Sequence, residues 1–222
     1  MTELPEAFAV PLSAEETRVL GCLIEKQLTV PDTYPMTMNS VVLACNQLTN
    51  REPLVNYSDA VVEETLGALR QRHLARMIRA GAGSRVDKHK HVFDETIGVG
   101  LDELSVLAVM MLRGPQTLNE LKLRTERMCG FENLDQVERA LDGLINRMAG
   151  ALVAKMERQP GQKEQRYAQL CCGEPAMPVA SASGGNGFPS GTIERINELE
   201  TQLASLVERV SALEMFRDQL ES

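Results

Sequence analysis

At 222 residues the chain has room for one large domain or two small ones, and its 43% apolar and 24% charged residues are ordinary globular proportions, against wholesale disorder or a fibrous repeat. The longest apolar run, Val106 to Leu112, is far below the ~18 residues that span a bilayer; Glu3 and Glu6 argue against a signal peptide, and five Cys without framework spacing point to reduced thiols in a cytoplasm. The net charge of −8 is uneven: residues 1–93 carry 10 Lys and Arg against 11 Asp and Glu, residues 94–172 carry 10 against 12, and residues 173–222 carry 3 against 8, so the two larger blocks are neither repelled from a phosphate backbone nor strongly drawn to it.

Residues 1–11 read as an N-terminal arm. Ser13 to Glu16 then forms a capping box, and Val19, Leu20, Leu23, Ile24 and Leu28 lie on one helical face. Pro31 and Pro35 break the chain, and a second helix places Val41, Ala44, Cys45 and Leu48 inward. After Pro53, Ser58 caps a third helix with Val62, Leu66 and Leu69 inward. Two β-like stretches follow, Leu74–Ala80 and Val86–Phe93, joined by a turn at Gly81 to Ser84. The next block repeats the order. Leu104, Leu107, Ala108 and Met111 form a helix that Gly114 and Pro115 stop. Thr117 and Glu120 make another capping box, before Leu118, Leu121, Thr125 and Met128. Asn133 caps a helix with Leu134, Val137, Leu141, Leu144 and Met148 inward. Leu152–Arg158 and Gln165–Leu170 pair across a turn at residues 159–162.

Helix, helix, helix, hairpin, twice over, is the order of a winged helix. The expected class is mainly α with small β hairpins (α+β), with winged-helix domains over 12–98 and 99–172. Residues 173–191 are rich in Gly, Pro and Ser and read as a flexible linker spanning roughly 24 Å.

Residues 192–222 read as a coiled-coil helix. Ile196, Leu199, Leu203, Leu206, Val210, Leu213 and Leu220 alternate at steps of three and four, with Arg217 at one a position. Leu at every d position, with β-branched Ile196 and Val210 at a, favours a two-stranded parallel dimer. Flanking charges agree, because a parallel pair sets Arg195 against Glu200 and Arg209 against Glu214, whereas an antiparallel pair opposes like charges. The alternative is an amphipathic helix folded back on its own domain.

Several stretches together resemble the YceH family of bacterial cytoplasmic proteins. They are Arg18 to Lys26; Tyr34-Pro35; Ala44 to Gln47 with Thr49 to Pro53; Ser84 to Val86 with Lys88; and Leu112 to Gly114 with Gln116-Thr117. Arg127-Met128, Gln159 to Gly161 and Arg166-Tyr167 complete the set, in order along the whole chain. The resemblance implies a tandem winged-helix fold and no established biochemical role. One departure is His89, where family members tend to carry Tyr after the Lys.

A functional reading must come from the side chains. Residues 70–91 hold Arg70, Arg72, Arg76, Arg79, Arg85, Lys88 and Lys90 with all three His, against Asp87 alone. This basic hairpin is the candidate nucleic-acid contact, since wing residues commonly meet phosphates. Against it stand Asp59, Glu63 and Glu64 on the third helix, whose N-terminal part faces the bases in helix-turn-helix docking. The hairpin can equally be solvated or paired with acids. Asn46, Gln47, Asn50 and Arg51 form a second candidate recognition surface, or instead build the helix end and its turn. His89 and His91 share one strand face without a third metal ligand in view. Cys22 and Cys45 read as packing, the vicinal Cys171-Cys172 lacks redox-motif spacing, and no Gly-rich phosphate loop is present. The expectation is a non-enzyme without cofactor or metal. Its partners would be itself and double-stranded DNA, or alternatively another protein through an adaptor role.

Overall fold

The computed structural model of the chain describes Phe8 and residues 10–81, 86–158 and 164–173. These residues form a mixed α and β structure. Its first half runs α1 (Ala14–Thr29), β1 (Met36–Thr37), α2 (Met38–Cys45), α3 (Asp59–Gln71), β2 (Ala75–Ile78) and β3 (Lys88–His91). A short α4 (Phe93–Ile97) leads to the second half: α5 (Leu101–Arg113), β4 (Gln116–Thr117), α6 (Leu118–Arg124), α7 (Leu134–Ile145), β5 (Val153–Lys155) and β6 (Arg166–Gln169).

The helix starts follow from local chemistry. The Ser13 hydroxyl accepts from the Glu16 amide at 3.1 Å while the Glu16 carboxylate accepts from the Ser13 amide at 2.8 Å, and Thr117 and Glu120 repeat this at α6. Thr37, Ser58 and Asn133 cap α2, α3 and α7 through their side chains. Gly114, at φ 71° and ψ −159°, takes a positive-φ backbone that other residues rarely adopt, and α5 stops there.

Each half closes with a three-stranded antiparallel sheet of the same order, β1-β3-β2 and β4-β6-β5. The registers match as well: Met36 pairs with His89 and Thr37 with Lys88, as Gln116 pairs with Tyr167 and Thr117 with Arg166. The same backbone bonds seat both hairpins. Leu74 donates to Leu69 and receives from Val92; Leu152 donates to Leu144 and receives from Leu170.

Helices α1 and α5 pack against each other, and one apolar core runs through both halves. Gly21 permits the approach, because a Cβ there would lie 3.1 Å from the Leu112 side chain and from Met111 Cβ. The Glu52 amide also donates to the Leu112 carbonyl at 2.8 Å.

Several sequence expectations are corrected. Helix α2 ends at Cys45, so Leu48 is 73% exposed rather than inward; α7 ends at Ile145, leaving Met148 fully exposed. Apolar spacing carried on past both helix ends, and the Asn46 and Asn146 caps ended them first. All four expected strands are shorter than their β-like stretches. Strands β1 and β4 and helix α4 were not expected at all. Two residues before a helix cap carry no periodicity, and β1 and β4 exist only because β3 and β6 pair with them. The turns at residues 82–85 and 159–163, the linker from 174 onward and the heptad seam from Ile196 to Leu220 lie outside the described residues.

Candidate nucleic-acid interface

Strand alternation divides the basic hairpin into two faces. Ala75, His89 and His91 are buried, while Arg76 and Ile78 are exposed and Lys88 and Lys90 half-buried on the other face. The register sets Arg76 directly opposite Lys90, a repulsive pair on its own. Glu95 on α4 relieves it, with carboxylate oxygens 3.4 Å from Arg76 and 3.7 Å from Lys90.

The other hairpin candidates have different surroundings. Arg72 is an internal strut: its guanidinium lies 3.1 Å from Glu16 and donates to the Val10 and Pro11 carbonyls. Arg70, Arg79 and Lys88 have no carboxylate within 4 Å among the described residues. Asp87, the acid of this stretch, accepts from the Ala80 amide at 2.8 Å. Arg85 lies outside the described residues.

Burial works against a positive charge on both strand histidines. Burial, with Arg70 nearby, pushes His89 below the ordinary imidazole range, and burial pushes His91 down to about 4. Nδ1 of His91 accepts from the Phe93 amide at 3.3 Å, while its backbone amide donates to the Tyr34 hydroxyl at 2.7 Å. Among the described residues no three His, Cys, Asp or Glu gather as metal ligands.

The second half treats the equivalent position differently. Arg166 stands where Lys88 stands, but its guanidinium is 2.8 Å from Glu120 and donates to the Pro115 carbonyl at 2.8 Å. Glu120 is the third residue of α6; the third residue of α2 is Ser40, whose hydroxyl meets Thr37 at 2.9 Å. That one difference leaves Lys88 without a carboxylate.

The second candidate surface is taken apart by the structure. Arg51 points inward with a fully buried side chain, its guanidinium 3.1 and 2.6 Å from the two Glu25 oxygens. Its Nε donates to the Ala44 carbonyl at 3.0 Å. Burial works to raise the Glu25 carboxyl, yet the adjoining guanidinium outweighs it and holds that carboxyl below its ordinary value. Asn46 is committed to both backbone groups of Tyr57, at 2.8 and 2.7 Å, and Gln47 accepts from Lys26 and Arg51. Asn50 supplies a left-handed turn at φ 58°. With Arg18 donating to the Cys45 and Pro53 carbonyls and the Cys22 thiol donating to Ala44, these groups satisfy the open end of α2. Arg18 and Glu25 escaped sequence reasoning because their partners are distant along the chain; for Glu95, which pairs with Lys90 five positions earlier, a local signal existed in the acidic Asp94-Glu95 step directly after the basic run.

On α3, Asp59, Glu63 and Glu64 are exposed, as are Asp135, Glu138, Arg139 and Asp142 on α7. Two similar halves thus share one core, and the first of them carries a basic hairpin. Residues 12–162 match the family model "Protein of unknown function, DUF480". The chain is similar to the "UPF0502 protein" of Albidiferax ferrireducens, 43% identical over 213 residues, covering 94% of this chain and 92% of that one. It is also similar to those of Saccharophagus degradans (40% over 217 residues, 95% and 94% covered) and Pseudomonas syringae pv. tomato (41% over 218 residues, 95% of each). The chain belongs to this family of bacterial proteins, DUF480, whose relatives carry the name UPF0502.

Proposed function

We propose that each half is a winged helix and that the protein is a DNA-associated regulator of the bacterial cytoplasm, not an enzyme, touching phosphates through the hairpin of its first half. The order helix, strand, helix, helix, strand, strand, with the third strand central, supports the winged-helix reading. The observation that carries the DNA reading is the cationic set Arg70, Arg79 and Lys88, which lacks carboxylates where the second half supplies Glu120. Exposed acids on α3 make groove reading by that helix unfavourable, so binding is expected to be insensitive to sequence and strongly salt-dependent. Titration of mixed-sequence duplex at several salt concentrations tests this. Absence of binding at low salt would contradict it.

Those same α3 acids favour a second reading, an adaptor that binds a basic protein surface and no nucleic acid. In either case residues 192–222 would join two chains as a parallel coiled coil through the seam from Ile196 to Leu220. Leu206→Lys should then shift the mass measured by light scattering towards monomer; an unchanged mass would remove the seam from the interface.

A further inference from the structure

A depression of about 420 Å³ lies between the C-terminal end of α3, strand β2 and the segment from Val92 to Thr96 that includes α4. Arg70, His73 and Arg76 line it together with the buried Ala75 and Val92 and with Thr96. Three nitrogen-bearing residues thus line a space large enough for a small molecule, since such clefts run roughly 300–1,000 Å³.

The charge arrangement is unbalanced. Arg70 is half-buried and has no carboxylate within 4 Å among the described residues. The acid beside the depression, Glu95, sits 3.4 Å from Arg76 and is shared with Lys90, so one carboxylate answers two cations. The rim is held in shape. His73 adopts a left-handed backbone at φ 56°, its amide donating to the Arg70 carbonyl at 3.1 Å and its carbonyl accepting from the Thr96 hydroxyl at 2.7 Å. Because that hydroxyl is engaged, the donors left for a ligand are the guanidiniums and the imidazole. Guanidinium groups suit phosphoryl oxygens, which they bind through paired N–H donors.

We propose that this depression binds a phosphomonoester, with the phosphoryl group between Arg70 and Arg76 and its organic body over Ala75 and Val92. The site rests on Arg70, His73 and Arg76; it shares Arg70 with the proposed duplex contact, and it stands whether or not Arg79 and Lys88 meet a duplex.

The test uses the full-length protein and isothermal titration at low salt, with adenosine 5′-monophosphate as probe and adenosine as control. The phosphorylated probe should bind saturably and adenosine should not. Arg70→Ala and Arg76→Ala should each weaken binding about tenfold, the size of one lost charge-assisted hydrogen bond. Glu95→Gln should tighten it by releasing Arg76 from competition, and Arg79→Ala should leave it unchanged. No saturable binding of adenosine monophosphate, or equal weakening by Arg79→Ala and Arg70→Ala, overturns the proposal. Adding mixed-sequence duplex to the loaded protein separates the sources of phosphate. Displacement of the probe by duplex assigns the site to the diester phosphates of nucleic acid and overturns the phosphomonoester reading, whereas simultaneous binding supports a free phosphorylated metabolite. Saturable probe binding with no duplex binding at low salt defeats the DNA reading alone.

Discussion

The first and second halves share helix order, sheet order and strand register, yet they place their ionic groups in opposite locations. The first half buries charge at the junction of α1 and α2, where Arg18, Glu25 and Arg51 satisfy the helix end. Counting from the two helix caps, the second half has Ser105 and Leu112 at the positions of Arg18 and Glu25, and closes α6 with the Thr125 hydroxyl on the Leu121 carbonyl. On the sheets the pattern reverses. Arg166 is neutralised by Glu120, whereas Lys88 faces no carboxylate. One scaffold therefore serves two ends: charge consumed internally stabilises, and charge left on a hairpin is available to a partner.

The largest expected effect tests the buried half of that contrast. Arg51→Ala leaves the half-buried Glu25 carboxylate with Lys26, 3.6 Å away, as its remaining ion-pair partner, and should destabilise the protein by about 3 kcal/mol, read from urea unfolding. Thr125→Ala removes one neutral hydrogen bond and should cost about 1 kcal/mol. Equal losses would erase the distinction between the junctions. Gly21→Leu comes next, because a side chain there must enter the space held by Leu112 and Met111; overpacking of this kind costs about 1–3 kcal/mol. A stability equal to that of the parent would show that the helices can part without loss.

The exposed half of the contrast predicts smaller, more selective changes. Replacing Arg79 and Lys88 by Ala should flatten the log K against log salt slope for duplex by about 0.9 per lost phosphate contact. Arg166→Ala should leave that slope unaltered. The smallest effect is on pH dependence. His91 is held neutral by burial, with its folded value near 4, so an unfolded chain takes up a proton that the folded one refuses as pH falls from 6.5 towards 4. Stability should decline across that window, and His91→Gln should make the decline shallower in thermal unfolding at successive pH values. Glu25 acts lower still. Its depressed folded value means its contribution is full above the ordinary carboxylate value of 4.5 and is lost as pH falls beneath it.

Much of this fold was legible in sequence because its signals are local. Capping boxes at Ser13 and Thr117, the Gly114 stop and the apolar spacing of α1, α3, α5 and α7 all act within one or two turns. Strands β1 and β4 were invisible because two residues define no period. The basic hairpin could be read as a run of cations, but not which of them are free. Arg72 is bound by Glu16, fifty-six positions earlier, and Lys90 by a residue on a helix no spacing announced. Arg51 misled for the same reason: a polar residue in a polar run reads as surface, and its charged partner, Glu25, lies twenty-six positions away.

A single exchange between the halves addresses the central claim directly. Ser40→Glu gives α2 the third-position carboxylate that α6 has in Glu120, in a capping context that Thr37 already supports. The new carboxylate should pair with Lys88 as Glu120 pairs with Arg166. The account predicts that Ser40→Glu folds with stability equal to or above that of the parent and that its duplex-binding salt slope flattens by about 0.9, while Ser40→Gln keeps the parental slope. An unchanged slope in the Glu variant would contradict the claim that Lys88 meets a phosphate.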